Sequence, residues 1–342
     1  MKFRTPARAL AYRPAHHARQ RGLTLIELMV AMAIGLVVMA TMLKVYVDSS
    51  RLYRFSVGLS RIQENGRFGL EFMRQDARLA GFWGCYHDIT LSNGIKDGTA
   101  NDRDYTSSDK GNDIGGTDGG GTLPDTIIFR GATGAAIDLS ADAAADQPVP
   151  VTSTVGIATP ATALISNCEV GDIFQVTAIA GNTLTHTTTN NNSDSLTNAH
   201  TQGESSVYLV NEHEYCIGLG ADLTTPVLRR LTFPNNLGTG ARCVANGDEM
   251  IEGVENMQIL YGEDTDADDV ANRYVAAGTA GLAMENVVSV RISLLLRSVN
   301  NNLLTDPTQV TYNGANFPNP LPANDRYLRK VFNATVSLRN GG

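Results

Sequence analysis

From Leu23 to Val47 the chain is apolar apart from Thr24, Glu27, Thr41 and Lys44. From there to Ala80 the apolar and small residues recur every three or four positions, at Leu52, Phe55, Leu59, Ile62, Gly66, Leu70, Met73, Ala77 and Ala80. Such steps mark one face of a helix, and no proline interrupts the stretch. The pattern predicts one helix of some 58 residues over 23–80. Residues 23–47 are long enough to cross a bilayer, for which about 20 apolar residues suffice. The amphipathic remainder, 48–80, is expected to lie on a folded domain. Gly66 and Gly69 each cost about 1 kcal/mol inside a helix, so close packing against a sheet is the expected compensation, with a simple bend as the alternative.

Beyond Gly81 the period changes to two, with polar loops between. Val288, Val290, Ile292, Leu294 and Leu296 alternate with Ser289, Arg291, Ser293 and Arg297, with Leu295 out of phase. Phe332, Ala334, Val336 and Leu338 repeat the pattern, so each strand has one buried and one wet face. Asp125 to Arg130 and Asp172 to Ile179 also read as strands, and Gly181-Asn182 is a hairpin turn signal. Residues 93–122, rich in Gly, Asp, Asn and Ser, read as a surface loop, with glycines 115, 116, 119, 120 and 121 as a flexible tether. The fold class is therefore α+β: a long N-terminal helix on a mainly antiparallel sheet, with 81–342 as a loop-rich globular domain.

Charge sharpens the picture at the start of the chain. Residues 1–22 carry Lys2, Arg4, Arg8, Arg13, Arg19 and Arg21 and no acid, which keeps that end cytoplasmic. A secretory signal has a shorter apolar core ending at a small-residue cleavage site; here a longer core is followed by Asp48, Ser49, Ser50 and Arg51. A plain membrane anchor gives no reason for Glu27, since a carboxylate in a membrane segment is costly and usually functional. Without the six leader cations, 21 Lys and Arg face 35 acids, a formal charge of -14 instead of -8. So acidic a chain is not expected to bind nucleic acid.

The junction Gly22-Leu23-Thr24-Leu25-Ile26-Glu27 resembles the class III signal of type IV pilins and pseudopilins, with leucine at 23 in place of the commoner phenylalanine. The likeness continues through Met29 to Leu36. The blocks Gln63-Glu64-Asn65-Gly66-Arg67-Phe68 and Ala80-Gly81-Phe82-Trp83-Gly84-Cys85 resemble the PilW family of minor pilins, as do, more loosely, Glu252 to Glu255 and Val290 to Ser298. The resemblance implies that a prepilin peptidase cuts after Gly22 and methylates Leu23, and that Glu27 guides assembly. It implies a structural subunit with no catalytic step, held in the inner membrane with its C-terminal domain in the periplasm. There it would join other minor pilins and the major pilin to initiate the pilus and sit at its tip, beneath an adhesin. A type II secretion pseudopilin and a membrane-anchored periplasmic enzyme are the alternatives.

Four cysteines, Cys85, Cys168, Cys216 and Cys243, lie beyond the apolar run, an even number suited to an oxidising compartment and two disulfides. Of three possible pairings, Cys216 with Cys243 and Cys85 with Cys168 are favoured, although sequence leaves the connectivity open. Zinc is the rival, but no Cys-x-x-Cys exists and His87 and His213 complete no ligand set. Enzyme signatures are missing: no Gly-x-Ser-x-Gly, His-Glu-x-x-His or phosphate-binding Gly-Lys-Ser/Thr occurs. Ser107-Ser108-Asp109-Lys110 matches Ser-x-x-Lys without a Lys-Thr-Gly partner and is a chance match. Asp264, Asp266 and Asp268 stand where a calcium loop begins, but Asp269 replaces its glycine and Val275 its final glutamate. A solvated acidic turn is the stronger reading; calcium is the cation the turn would suit, and no other cofactor is expected.

Overall fold

The computed structural model of the chain describes residues 22–85, 89–95, 113–121, 123–233, 243 and 247–338. The long helix α1 (Leu25–Leu79) is followed by β1 (Thr90–Asn93), β2 (Ile114–Thr117), β3 (Thr126–Asp138), β4 (Val149–Pro150), β5 (Ala161–Ser166), β6 (Val170–Val176), β7 (Ala178–Ala180), β8 (Thr183–Thr185) and β9 (Ser206–Leu219). The order continues with β10 (Pro226–Phe233), β11 (Asp248–Glu252), β12 (Val254–Glu263), β13 (Arg273–Val275), β14 (Val287–Arg297), β15 (Val310–Tyr312), β16 (Ala315–Phe317) and β17 (Arg329–Ser337). The fold is α+β. Among the described residues, every strand pair is antiparallel except β1 with β6.

The chain divides into two compact units, residues 1–53 and 54–342. In the first, every described side chain from Leu23 to Val47 is exposed, and the helix they form is long and apolar enough to cross a membrane. Leu52, placed on the packed face by its spacing, is exposed as well. The packed face begins only in the second unit, so the amphipathic half of α1 belongs with the sheets and not apart from them.

That second unit contains an eight-stranded sheet, ordered β1-β6-β5-β9-β10-β11 with β3 along the other side of β9 and β2 outside β3. A four-stranded sheet, β13-β12-β14-β17, a small sheet, β4-β8-β7, and the hairpin β15-β16 complete it. The main core gathers Ile62, Met73 and Ala77 of α1, Ile127 and Phe129 of β3, Met257, Ile259 and Tyr261 of β12, and Val290, Ile292 and Leu294 of β14. Gly66 and Gly69 lie in this contact and the helix runs on through both. A β-carbon on Gly66 would sit 2.6 Å from the Phe332 ring, and one on Gly69 would sit 3.3 Å from Leu294 Cδ1. The glycines therefore let β17 and β14 approach the helix closely. Leu295, out of phase in its strand, is nonetheless fully buried. On its neighbour Ser293, the β15-β16 hairpin lies over the sheet's outer face, where the Tyr312 hydroxyl donates to the Ser293 carbonyl at 2.7 Å.

A second core joins β5, β6, β9 and the small sheet, and a third, around Trp83, Cys85, Ile95 and Leu164, sits beneath the chain that leaves the helix. Two expectations fail in this region. Glycines 115 and 116 form β2 instead of a tether: Gly116 has φ 157° and sits against the Thr126 carbonyl and the Tyr261 hydroxyl, where no side chain fits. The strand over 172–179 breaks into β6 and β7, and Gly181, at φ 61°, turns β7 into β8. Residues 96–112, with the Ser-x-x-Lys match, lie outside the described residues.

Candidate functional site

Gly22 and Leu23 precede α1 outside any regular element and are exposed, which leaves the peptide bond between them accessible. Thr24 is the N-cap: its carbonyl accepts from Leu28 N–H at 3.1 Å. Its hydroxyl accepts the Glu27 N–H at 3.3 Å, while the Glu27 carboxylate accepts the Thr24 N–H at 2.9 Å and the Thr24 hydroxyl at 3.0 Å. This reciprocal arrangement is a capping box, in which an N-cap threonine and a glutamate three residues on satisfy one another's backbone donors. Thr-x-x-Glu was legible at positions 24 to 27, and reading Glu27 only as a membrane carboxylate overlooked it. Glu27 is thus fixed one turn from the bond at 22–23 and already neutralises the positive end of the helix.

The four cysteines form two disulfides, Cys85 with Cys168 and Cys216 with Cys243, with Cα–Cα distances of 5.6 and 6.1 Å. The first ties the segment leaving α1 to the turn before β6, where Cys168 has φ 70°. The second fastens residue 243 to β9, and Gly218 makes room for the Cys243 carbonyl.

Asp264, Asp266 and Asp268 bring one carboxylate oxygen each within 4.8 Å of one another. Their roles differ. Asp264 is buried, and its carboxylate accepts the N–H groups of Asp266, Ala267 and Asp269 at 3.0, 2.8 and 2.7 Å. Burial opposes its charge, but these donors outweigh burial and hold its carboxyl below the ordinary value. The carboxylate builds the turn; Asp266 and Asp268 are exposed.

Three side-chain clusters had no local sequence signal. Asp76, near the end of α1, accepts the Tyr215 hydroxyl at 2.5 Å and lies 2.8 Å from His213 Nδ1. It fastens the helix to β9, and burial, then the Asp76 charge, pushes the Tyr215 phenol up. Beside it a small, half-open pocket is lined mainly by Leu79, Phe129, Arg130, Gly131, Asn211 and His213. Arg329 spans two carboxylates, Glu255 at 2.6 Å and Asp325 at 2.7 Å, and Arg297 reaches Glu255 at 3.3 Å. This network closes the loop between β14 and β17 back onto β12. Finally, Asp172, His200 and Ser205 form a buried chain, with His200 Nε2 2.9 Å from Asp172 and Nδ1 3.3 Å from the Ser205 hydroxyl. The residue types are those of a hydrolase triad, but Ser205 is 3% exposed. Asp172 also takes the backbone N–H groups of Thr197 and Asn198 and the Asn198 amide. A nucleophile must reach its substrate, so the chain reads as a clamp holding the 195–205 loop onto β6.

Residues 17–43 match the prokaryotic N-terminal methylation motif, and residues 207–340 match the family model of type IV pilus-assembly protein W, PilW. The two matches do not overlap: one covers the start of the chain and the other its last two-fifths. The PilW match runs from β9 through β17 and so contains the four-stranded sheet and the Glu255-Arg329-Asp325 network. Among solved structures, a type IV-like pilin from Thermus thermophilus is 10% identical, covers 82% of this chain and 99% of its own, and has a TM-score of 0.32. No curated protein sequence matches the chain.

Proposed function

We propose that this protein is a minor pilin that helps to initiate type IV pilus assembly and sits at the pilus tip, and that it catalyses no reaction. The observation that carries the reading is the Gly22-to-Glu27 junction, capped and exposed, at the head of a helix whose first half, to Val47, is almost wholly apolar. Processing by a prepilin peptidase would make Leu23 an N-terminus, and its amine is a cation beside the positive end of a helix, which is unfavourable. A carboxylate held one turn away relieves this, either within the chain or from a neighbouring subunit in an apolar bundle. The basic leader orients residues 54–342 toward the periplasm, and both disulfides suit that compartment. Other minor pilins, the major pilin and a tip adhesin are the partners this reading implies. A type II secretion pseudopilin would share the same assembly chemistry.

Deletion of the protein should greatly reduce surface pili while the major subunit stays in the membrane. Complementation with Glu27→Gln separates the two roles of the carboxylate, because glutamine can complete a capping box but carries no charge. The charge-pairing account predicts that Glu27→Gln is cleaved and folded yet fails to restore pili. Full piliation by Glu27→Gln would show that the cap alone matters, and unchanged pili in the deletion strain would refute a role in assembly.

A further inference from the structure

The sheet edges differ in how they are protected. Unpaired strand edges invite other strands, and proteins blunt them by shortness, bulges, proline or charge. β13 has three residues, β1 and β2 have four each, and β11 has five with a register shift against β10. β17 is different. It runs nine residues in unbroken register with β14, from Arg329 opposite Arg297 to Ser337 opposite Ser289, without bulge or proline. It ends the order of its sheet, and no described residue pairs with its outer side.

The side chains along this edge are half finished. Phe332 and Ala334 are only partly buried, although Phe332 packs on the main core beside the fully enclosed Leu294. Lys330 is exposed on the same face, its ammonium 5.5 Å from the Phe332 ring, and among the described residues no carboxylate pairs with it. Arg329, by contrast, is spent on Glu255 and Asp325. An added strand would complete the backbone ladder, cover Phe332 and Ala334, and bring a charge opposite Lys330.

We propose that the outer edge of β17 receives an extended segment of another pilus subunit by strand addition, with apolar side chains toward Phe332 and Ala334 and a carboxylate facing Lys330. This is a main-chain recognition mode in which alternate side chains set specificity. A second copy of β17 cannot supply the carboxylate, because Arg329 to Ser337 contains no acid. The inference rests on the pilus reading above.

The test places a photo-cross-linking amino acid at Thr335, exposed on this strand, in the full-length chain in piliated cells, with Val155, exposed in another part of the domain, as control. The expected result is one adduct from Thr335 and none of it from Val155, mapping to an extended, acid-bearing segment of another pilus protein. Its yield should fall roughly fivefold in Lys330→Glu, as for like charges opposed across a strand pair, and persist in Lys330→Arg, with both variants melting like the parent. No adduct, an adduct only to a second copy, or a yield indifferent to Lys330→Glu overturns strand addition. Piliation measured in the same strains separates the two claims: pili that depend on the protein without any adduct refute only the edge, whereas pili indifferent to its deletion refute the pilus reading.

Discussion

Substituting alanine at Gly66 and at Gly69 should have opposite consequences, although the two glycines lie three residues apart on one helix face. Each substitution gains about 1 kcal/mol of helix propensity. At Gly69 the new methyl would meet Leu294 Cδ1 at 3.3 Å, Ile251 at 3.6 Å and Leu228 at 3.7 Å. A shift of a few tenths of an ångström by a leucine tip accommodates it, so stability should stay within about 0.5 kcal/mol of the parent or rise. At Gly66 the methyl would lie 2.6 to 2.7 Å from three atoms of the Phe332 ring, including the one at its root. Rotation of the ring does not clear that contact, so β17 or the helix must move, and overpacking of this kind costs about 1 to 3 kcal/mol. The net effect of Gly66→Ala is a loss of about 1 kcal/mol, or about 2 to 4 °C in melting temperature for a domain of this size. Melting of the full-length chain in detergent, followed by the fluorescence of its one tryptophan, Trp83, reads this directly. Phe332→Ala should remove the conflict, so that Gly66→Ala on that background stabilises instead of destabilising. If Gly66→Ala stabilises the parent as Gly69→Ala does, the glycine serves no close approach.

Arg329→Ala leaves the buried Asp325 without its cation and Glu255 with Arg297 alone, and should cost about 3 kcal/mol in urea melts. Reduction of the disulfides should cost up to about 4.5 kcal/mol for Cys85-Cys168 and about 3.5 for Cys216-Cys243, in line with separations of 83 and 27 residues. Thiol labelling after denaturation without reductant should find no free cysteine in the exported protein. Acid should destabilise the fold: His200 and the N–H donors of 197 and 198 overcome burial and hold Asp172 below its ordinary 3.8. The stability this contributes is present above that value and lost as pH falls through the lower folded one. Asp172→Asn should flatten this acid limb, while Asp125, raised by burial, works with the opposite sign. Asp264→Ala should lower the melting temperature with or without millimolar calcium, because it removes the turn's acceptor; a calcium-dependent rise in the parent, lost with Asp264→Ala and Asp266→Ala, would instead establish the cation site.

What the sequence revealed depended on how local each cause was. The helix was legible because its period repeats over many turns, and the four-stranded sheet because β14 and β17 alternate cleanly. Leu52 misled because spacing marks a face without saying where a partner begins. Gly115 and Gly116 looked like linker composition, but both lie in β2, and the lack of a side chain at Gly116 lets that strand lie against Thr126 and Tyr261. Asp76 meets His213 and Tyr215 across 137 and 139 residues, and the Arg329 network joins three separate segments, so neither leaves a spacing to read. The capping box at Thr24 and Glu27 was fully local and was obscured only by the stronger apolar signal around it.

The measurement closest to the central claim is the intact mass and N-terminal sequence of the protein recovered from membranes and sheared pili. The account predicts a chain beginning at Leu23 with a methylated amine, and blocked cleavage when Gly22 is replaced by a bulky residue. A mature protein that begins at Met1, or beyond Val47, would contradict it.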